Sequence, residues 1–450
     1  MVEFEEKKKI NLKEGIKCPQ MLENVFSFLK QKKKLDLIIY SKEIRKNLGV
    51  NIQDYRIASG KYKKGRKNGL GSEYTLKNNN LIFEGEYLNG KRNGKGKEYN
   101  LNGNLSFEGE YSKGKRNGKG KEYYDNGNLK FEGEYLEGKR WNGKGYNIKD
   151  ILDLQIEDGN GKGKDYYSNG YLEYEGEYSN GEKNGKGKDY NYKGKLIFEG
   201  EYLEGKRIGK GKEYYFNGKL KFEGEYLNGK KWNGKGYDIN DILDLKLEDG
   251  NGKGKDYNYY GYLEYEGEFS NGNKNGKGKE YYNGKFKFFE EYRIGMENFE
   301  KYPTESELLF EGEYLKGERN GKGKEYYKDG NLKFDGEYLN GKRDGKGKEY
   351  FDNGKLKFEG DYLNGRKWNG KGYTTDGIID FEIKDGSGKG KEYYDNDELK
   401  FEGDYLFGDK TGNVKEYYYY NELKFEGKYL NGERNGEGKE FNLSLVTSFI

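Results

Sequence analysis

Histidine is absent from this chain of 450 residues, cysteine occurs once and proline twice. Without histidine there is no imidazole metal site and no Ser-His or Cys-His couple; with Cys18 alone there is no internal disulfide. Cys18 lies in Lys17-Cys18-Pro19 with no histidine to activate it and reads as an inert thiol. The familiar nucleophilic and metal chemistries are thereby excluded, and the expectation is a protein that is not an enzyme and carries no cofactor. The start, Met1 to Lys9, is charged, and no later run approaches the roughly 18–20 apolar residues that span a bilayer. The expected setting is therefore the cytoplasm, with membrane or cytoskeletal association left open.

Aliphatic content is low as well. Hydrophobic residues make up 32% of the chain and charged residues 36%, a balance that would suggest disorder if the apolar residues were scattered. They are instead 47 Tyr and 24 Phe at fixed spacing, among 73 Gly. The 84 basic and 80 acidic residues nearly cancel. Residues 1–60 hold 13 basic and 8 acidic residues, which leaves 71 and 72 for the other 390. A neutral array has no field to draw it to nucleic acid, and no nucleic-acid partner is expected.

A motif starts at Phe83, Phe107 and Phe131 and again at Tyr174, Phe198 and Phe222, 24 residues apart within each group. Phe83, Tyr174 and Tyr265 are 91 residues apart, as are Phe310 and Phe401, so blocks of repeats recur as units. Blocks close on a Trp variant at Trp141, Trp232 and Trp368, followed by a shorter aliphatic unit such as Ile151–Ile156. In Phe107-Glu108-Gly109-Glu110-Tyr111, period two places Phe107, Gly109 and Tyr111 on one face and both carboxylates on the other. A turn is expected over Ser112–Gly118, a second strand over Lys119–Tyr124, and a turn with two positive-φ residues at Asn126-Gly127. Short turns imply that each strand pairs antiparallel with its sequence neighbours, and glycines such as Gly109 leave room for an aromatic ring from the neighbouring unit over the backbone.

The fold expected is mainly β, an elongated meander of tandem β-hairpins with a short N-terminal helical segment. The expected organisation is a flexible start (1–18), a helical segment (19–58), an array (59–292), an irregular insertion (293–309), a continued array (310–440) and a capping strand (441–450). One sheet with two faces and no second layer is expected to leave part of its aromatic surface exposed. The candidate partner-binding residues are accordingly Phe83, Tyr87, Phe107, Tyr111, Phe131, Tyr135, Trp141, Phe198, Tyr202, Phe222, Tyr226 and Trp232. Lys91-Arg92 and Lys115-Arg116 recur at one turn and suggest a basic edge for an anionic membrane, opposed by Glu84, Glu86 and Glu98. Gly94-Lys95-Gly96-Lys97 fits no phosphate loop, and Glu157-Asp158-Gly159 lacks the ligand spacing of a calcium loop.

The stretch Phe83 to Gly96, with its aromatic-x-Gly-x-aromatic and Gly-x-Gly elements, closely resembles MORN repeats, and the resemblance extends over roughly residues 60–440. Lys121 to Leu129 is similar to the variant found in antitoxin-like proteins, with Glu122 where an aromatic usually stands. The resemblance implies a scaffold or membrane-adjacent tether, some members self-associating and some contacting phosphoinositides. Met21–Lys30 places hydrophobic residues at helical spacing, and Leu22, Val25, Phe28, Leu29 and Leu35 resemble an F-box. That resemblance implies docking to a Skp1-like subunit; a helical cap on the sheet end is the alternative reading.

Overall fold

The computed structural model describes residues 60–282, 307–394, 398–430 and 432–441. Cys18, the F-box-like residues Leu22, Val25, Phe28, Leu29 and Leu35, nearly all of the expected insertion, and the capping strand beyond Phe441 lie outside the described residues. Those that are described fall into two units, one of residues 60–321 with 328–330, the other of 322–327 and 331–441. Strands dominate both, and the described helical structure is a single 3-10 turn at Tyr419–Asn421.

In the first unit each strand pairs antiparallel with the next, from Lys61–Gly65 against Gly69–Thr75 to Asn273–Tyr281 against Leu308–Leu315. The second unit repeats this from Leu332–Leu339 with Lys342–Tyr350 to Leu423–Leu430 with Glu433–Glu440. This is the meander of tandem hairpins expected from the short connections.

One repeat shows how the sequence builds it. Strand Leu105–Ser112 turns through Lys113 and Gly114, at φ of 52° and 93°, into strand Lys115–Tyr123. Two consecutive positive-φ residues make a hairpin turn whose twist matches its strands. The expected long turn over Ser112–Gly118 is thus only Lys113-Gly114, and the second strand begins four residues early, at Lys115 instead of Lys119. At Asn126-Gly127 only Gly127 has positive φ. The Asn-Gly pair therefore serves a different turn, closed by the Tyr124 amide donating to the Asn128 carbonyl at 2.9 Å.

The long second strand is accommodated by a bulge. Gly109 faces Gly120 and Tyr111 faces Arg116, so two steps along one strand answer four along the other. Gly118, at φ 97°, takes the extra turn of backbone, and the Lys119 amide donates to the Glu110 carboxylate at 2.9 Å. Because the bulge adds two residues, Arg116 stays on the face that carries Phe107 and Tyr111.

Candidate partner-binding surface

Directly opposed residues of an antiparallel pair share a face. Phe107 faces Glu122, Gly109 faces Gly120 and Tyr111 faces Arg116, so the aromatic face also carries a guanidinium, a carboxylate and two glycines. Phe107 is fully buried and Tyr111 is 4% exposed. Their rings meet edge to face with centroids 5.6 Å apart, and Phe107 meets Tyr135 of the next repeat at 5.2 Å. Each such pair adds roughly 0.5–1.5 kcal/mol beyond area burial. A Cβ on Gly120 would lie 2.6 Å from the Phe107 ring and 3.2 Å from that of Tyr135. The glycine therefore clears space for the ring of its own hairpin as well as for a neighbour's.

Above the rings lies a layer of ion pairs. The Arg116 guanidinium stands 3.9 Å from the Phe107 ring centre and reaches Glu98 at 2.5 Å and Glu122 at 3.4 Å. The pattern continues in both directions: Glu73 to Arg92 at 2.9 Å, Arg92 to Glu98 at 2.7 Å, Glu122 to Arg140 at 2.6 Å and Arg140 to Asp165 at 3.0 Å. Charges alternate without interruption from Glu73 to Asp165. A second run links Lys183, Asp189, Arg207, Glu213, Lys231 and Asp256, and in the other unit Glu325, Arg343, Glu349 and Lys367 do the same. Tyr87, Tyr135 and Tyr338 donate their hydroxyls to carboxylates of these runs.

The charges hold one another ionised. Burial pushes the Glu73 carboxyl up, but the Arg92 guanidinium, helped by Lys63 and Lys61, more than offsets it and holds the group at about 2. Burial likewise raises Glu122, yet Arg140, Lys130 and Arg116 keep it well below the usual carboxylate range.

This arrangement corrects the expectation of an exposed aromatic face. Phe83, Phe107, Phe131, Phe198 and Phe222 are fully buried, and Tyr87, Tyr111, Tyr135, Tyr202 and Tyr226 are buried beside them. A single sheet layer covers its rings with its own arginines, lysines and carboxylates, because the first residues of each second strand stay paired in the sheet and send their cationic side chains over the aromatic row. Trp141 and Trp232 are half-buried against the turns of the short aliphatic hairpins, where a Cβ on Gly159 or Gly250 would lie 2.7 Å from the indole. Leu154 and Ile156 of the short hairpin continue the buried layer. The basic edge is corrected too: Arg92 and Arg116 point into the ion-pair layer, leaving Lys91 and Lys115 at the exposed turn. The reading of the residues missed this layer, although its signal was present, since an Arg or Lys two residues past the hairpin-turn Gly and a Glu or Asp before the closing Tyr recur in most repeats.

The opposite face is of another kind. Glu84, Glu108 and Glu199 accept hydrogen bonds from Tyr99, Tyr123 and Tyr214. Lysines of the Gly-Lys-Gly-Lys segments face the glutamates of the Glu-Gly-Glu segments, with Lys188 to Glu199 at 3.3 Å and Lys121 to Glu132 at 3.5 Å. In the first unit this face forms an open groove of about 930 Å³ from Lys162 to Lys235. Its floor is the backbone of Gly176, Gly187, Gly200, Gly211, Gly224 and Gly234, and its walls are lysine and glutamate side chains. No cluster of three or more metal-ligating side chains occurs among the described residues.

The MORN repeat family model matches residues 83–104, 107–129, 174–188, 265–285, 310–332, 334–355 and 425–441, and a MORN repeat variant matches 207–228. No curated protein matches the chain. Among solved structures, the crystal structure of TcdB2-TccC3 without its hypervariable C-terminal region is similar over 91% of this chain and 25% of that one, at 9% identity and a TM-score of 0.14. That of TcdB2-TccC3-TEV is similar over 88% of this chain and 20% of that one, at 12% identity and a TM-score of 0.12. This chain thus spans a quarter or less of the length of either. The family matches fall on the hairpins that carry the aromatic layer and recur from residue 83 to residue 441: the chain is built of multiple MORN repeats.

Proposed function

We propose that this chain is a non-enzymatic repeat scaffold that binds a partner protein through its lysine and glutamate face. One observation carries the reading: the aromatic layer is closed over by its own ion pairs, whereas the opposite face keeps an open, glycine-floored groove flanked by charged side chains. Such a surface offers orientation and specificity by charge pattern more than by apolar burial. MORN repeats as a fold are consistent with a protein-binding role.

The test removes the paired charges of the groove together, as K188Q, E199Q, K212Q and E223Q in one full-length chain, so that net charge is unchanged. Partner capture from lysate is compared with that of the unmodified chain by cross-linking and mass spectrometry, after circular dichroism has verified β structure. Loss of captured proteins is expected. Capture that is unchanged would sink the assignment of this face.

A further inference from the structure

The groove contains two rows of lysine that differ in what they hold. Lys188 and Lys212 are 3.3 and 3.8 Å from Glu199 and Glu223, and Lys164, beside the groove, is 3.9 Å from Glu175. Lys162, Lys186 and Lys210 also line the groove and are exposed, yet none makes an ion pair with a carboxylate among the described residues. Each faces a glutamate in register, Glu177, Glu201 and Glu225 in turn. Those carboxylates are drawn elsewhere. Glu177 and Glu201 lie over the bulge glycines Gly185 and Gly209, and Glu225 accepts a hydrogen bond from Asn233 at 2.8 Å.

We propose that Lys162, Lys186 and Lys210 receive an extended acidic segment of a partner protein, with a carboxylate at every third residue; this rests on the scaffold reading above and names the class of partner. The three lysines recur once per hairpin, which is two strand spacings, or about 9.4–9.8 Å. Three residues of a polyproline-II chain advance about 9.3 Å and return to the same side, whereas residues three apart in a β-strand point to opposite faces, so the segment lies as polyproline II. Seven residues of helix advance about 10.5 Å, so a helix would slip out of step by about 2 Å across three lysines. A flat anionic surface also meets Glu175, Glu199 and Glu223, which line the same groove and repel it. A slender chain lying along the groove does not.

The experiment uses the full-length chain and a labelled peptide of about nine residues, three turns of extended chain, with glutamates at every third position separated by Ser-Ala. Its isomer has the same composition with the glutamates adjacent. Fluorescence anisotropy is expected to show the spaced peptide binding about fivefold tighter than the isomer. K162Q/K186Q/K210Q weakens it by about tenfold, as three exposed ion pairs would, while K91Q/K115Q, at exposed turns outside the groove, changes it by less than about twofold. In addition, K186E is expected to bind preferentially a peptide whose central glutamate is replaced by lysine. Equal binding of the two isomers, or equal loss in both sets of variants, overturns the proposal. So does uptake by phosphatidylserine vesicles that K162Q/K186Q/K210Q abolishes while the peptide fails to bind. If the peptide fails but partner capture still depends on the K188Q/E199Q/K212Q/E223Q face, the partner class is wrong; if both fail, the scaffold reading falls with it.

Discussion

Replacing Arg92 by Met tests whether the ion-pair layer stabilises the sheet or merely decorates it. Arg92 donates to Glu73 at 2.9 and 3.4 Å, reaches Glu98 at 2.7 Å, and stands 4.0 Å from the Phe83 ring centre. Glu73 is only 2% exposed, so its charge cannot be handed to water. A carboxyl held at about 2 instead of its usual 4.5 corresponds to about 3 kcal/mol at neutral pH. The sign follows from the direction of the shift. A depressed pKa adds stability that is complete above 4.5 and is lost as pH falls from 4.5 towards 2. Methionine keeps much of the packing on Phe83 but leaves Glu73 with the half-exposed Lys61 and Lys63, at 3.5 and 3.3 Å. R92M is therefore expected to lose about 2–3 kcal/mol of local stability at pH 7 and about 1–1.5 kcal/mol near pH 3, where Glu73 is largely protonated in the variant but still mostly ionised in the unmodified protein. Because repeat arrays open locally, the readout is amide hydrogen exchange over residues 61–112, with E73Q as companion. A loss that does not change with pH would assign the effect to packing, and no loss at pH 7 would refute the reasoning outright.

Gly120→Ala is expected to cost about 1–3 kcal/mol, because its Cβ would lie 2.6 Å from Phe107; Gly127→Ala, with nothing within 4 Å but φ at 88°, is expected to cost about 1–2 kcal/mol through backbone strain. Only the first should raise tyrosine exposure to a collisional quencher. Trp141→Ala is expected to free the turn at Asp158-Gly159, read as faster exchange of the Gly159 amide, which donates to the Trp141 carbonyl at 2.7 Å; protection equal to the unmodified chain would contradict the wedge role. In spectrophotometric titration Tyr99, which burial and the Glu84 carboxylate raise to about 12, is expected to stay protonated at pH 11, and E84Q is expected to lower its pKa. A Tyr99 that ionises near its ordinary 10 in both proteins would deny the hydrogen bond.

The hairpin meander was legible because its signals are local. Period two in Phe107–Tyr111 and the 24-residue recurrence fix strand identity, neighbour pairing and the common face of Phe107, Gly109 and Tyr111 without reference to anything distant. The turns were legible only in part. Asn126-Gly127 carries the stronger hairpin dipeptide, yet Lys113-Gly114 makes the turn with two positive-φ residues, since position in the meander outweighs the intrinsic preference of Asn over Lys. The ion-pair layer was hidden because Ser112–Gly118 reads as a turn, whereas Arg116 stands in a strand whose bulge at Asn117-Gly118 inserts two residues and so leaves Arg116 on the face of Gly120 and Glu122.

The sequence by itself determined an aromatic-glycine hairpin repeat, the pairing of each strand with its neighbour and a nearly neutral array without histidine. Only the tertiary structure decided which face is closed. Glu98 belongs to one repeat and Arg116 to the next, so the run of charges over the rings becomes continuous only once hairpins stack, and the same stacking lines up the lysine and glutamate groove on the opposite face.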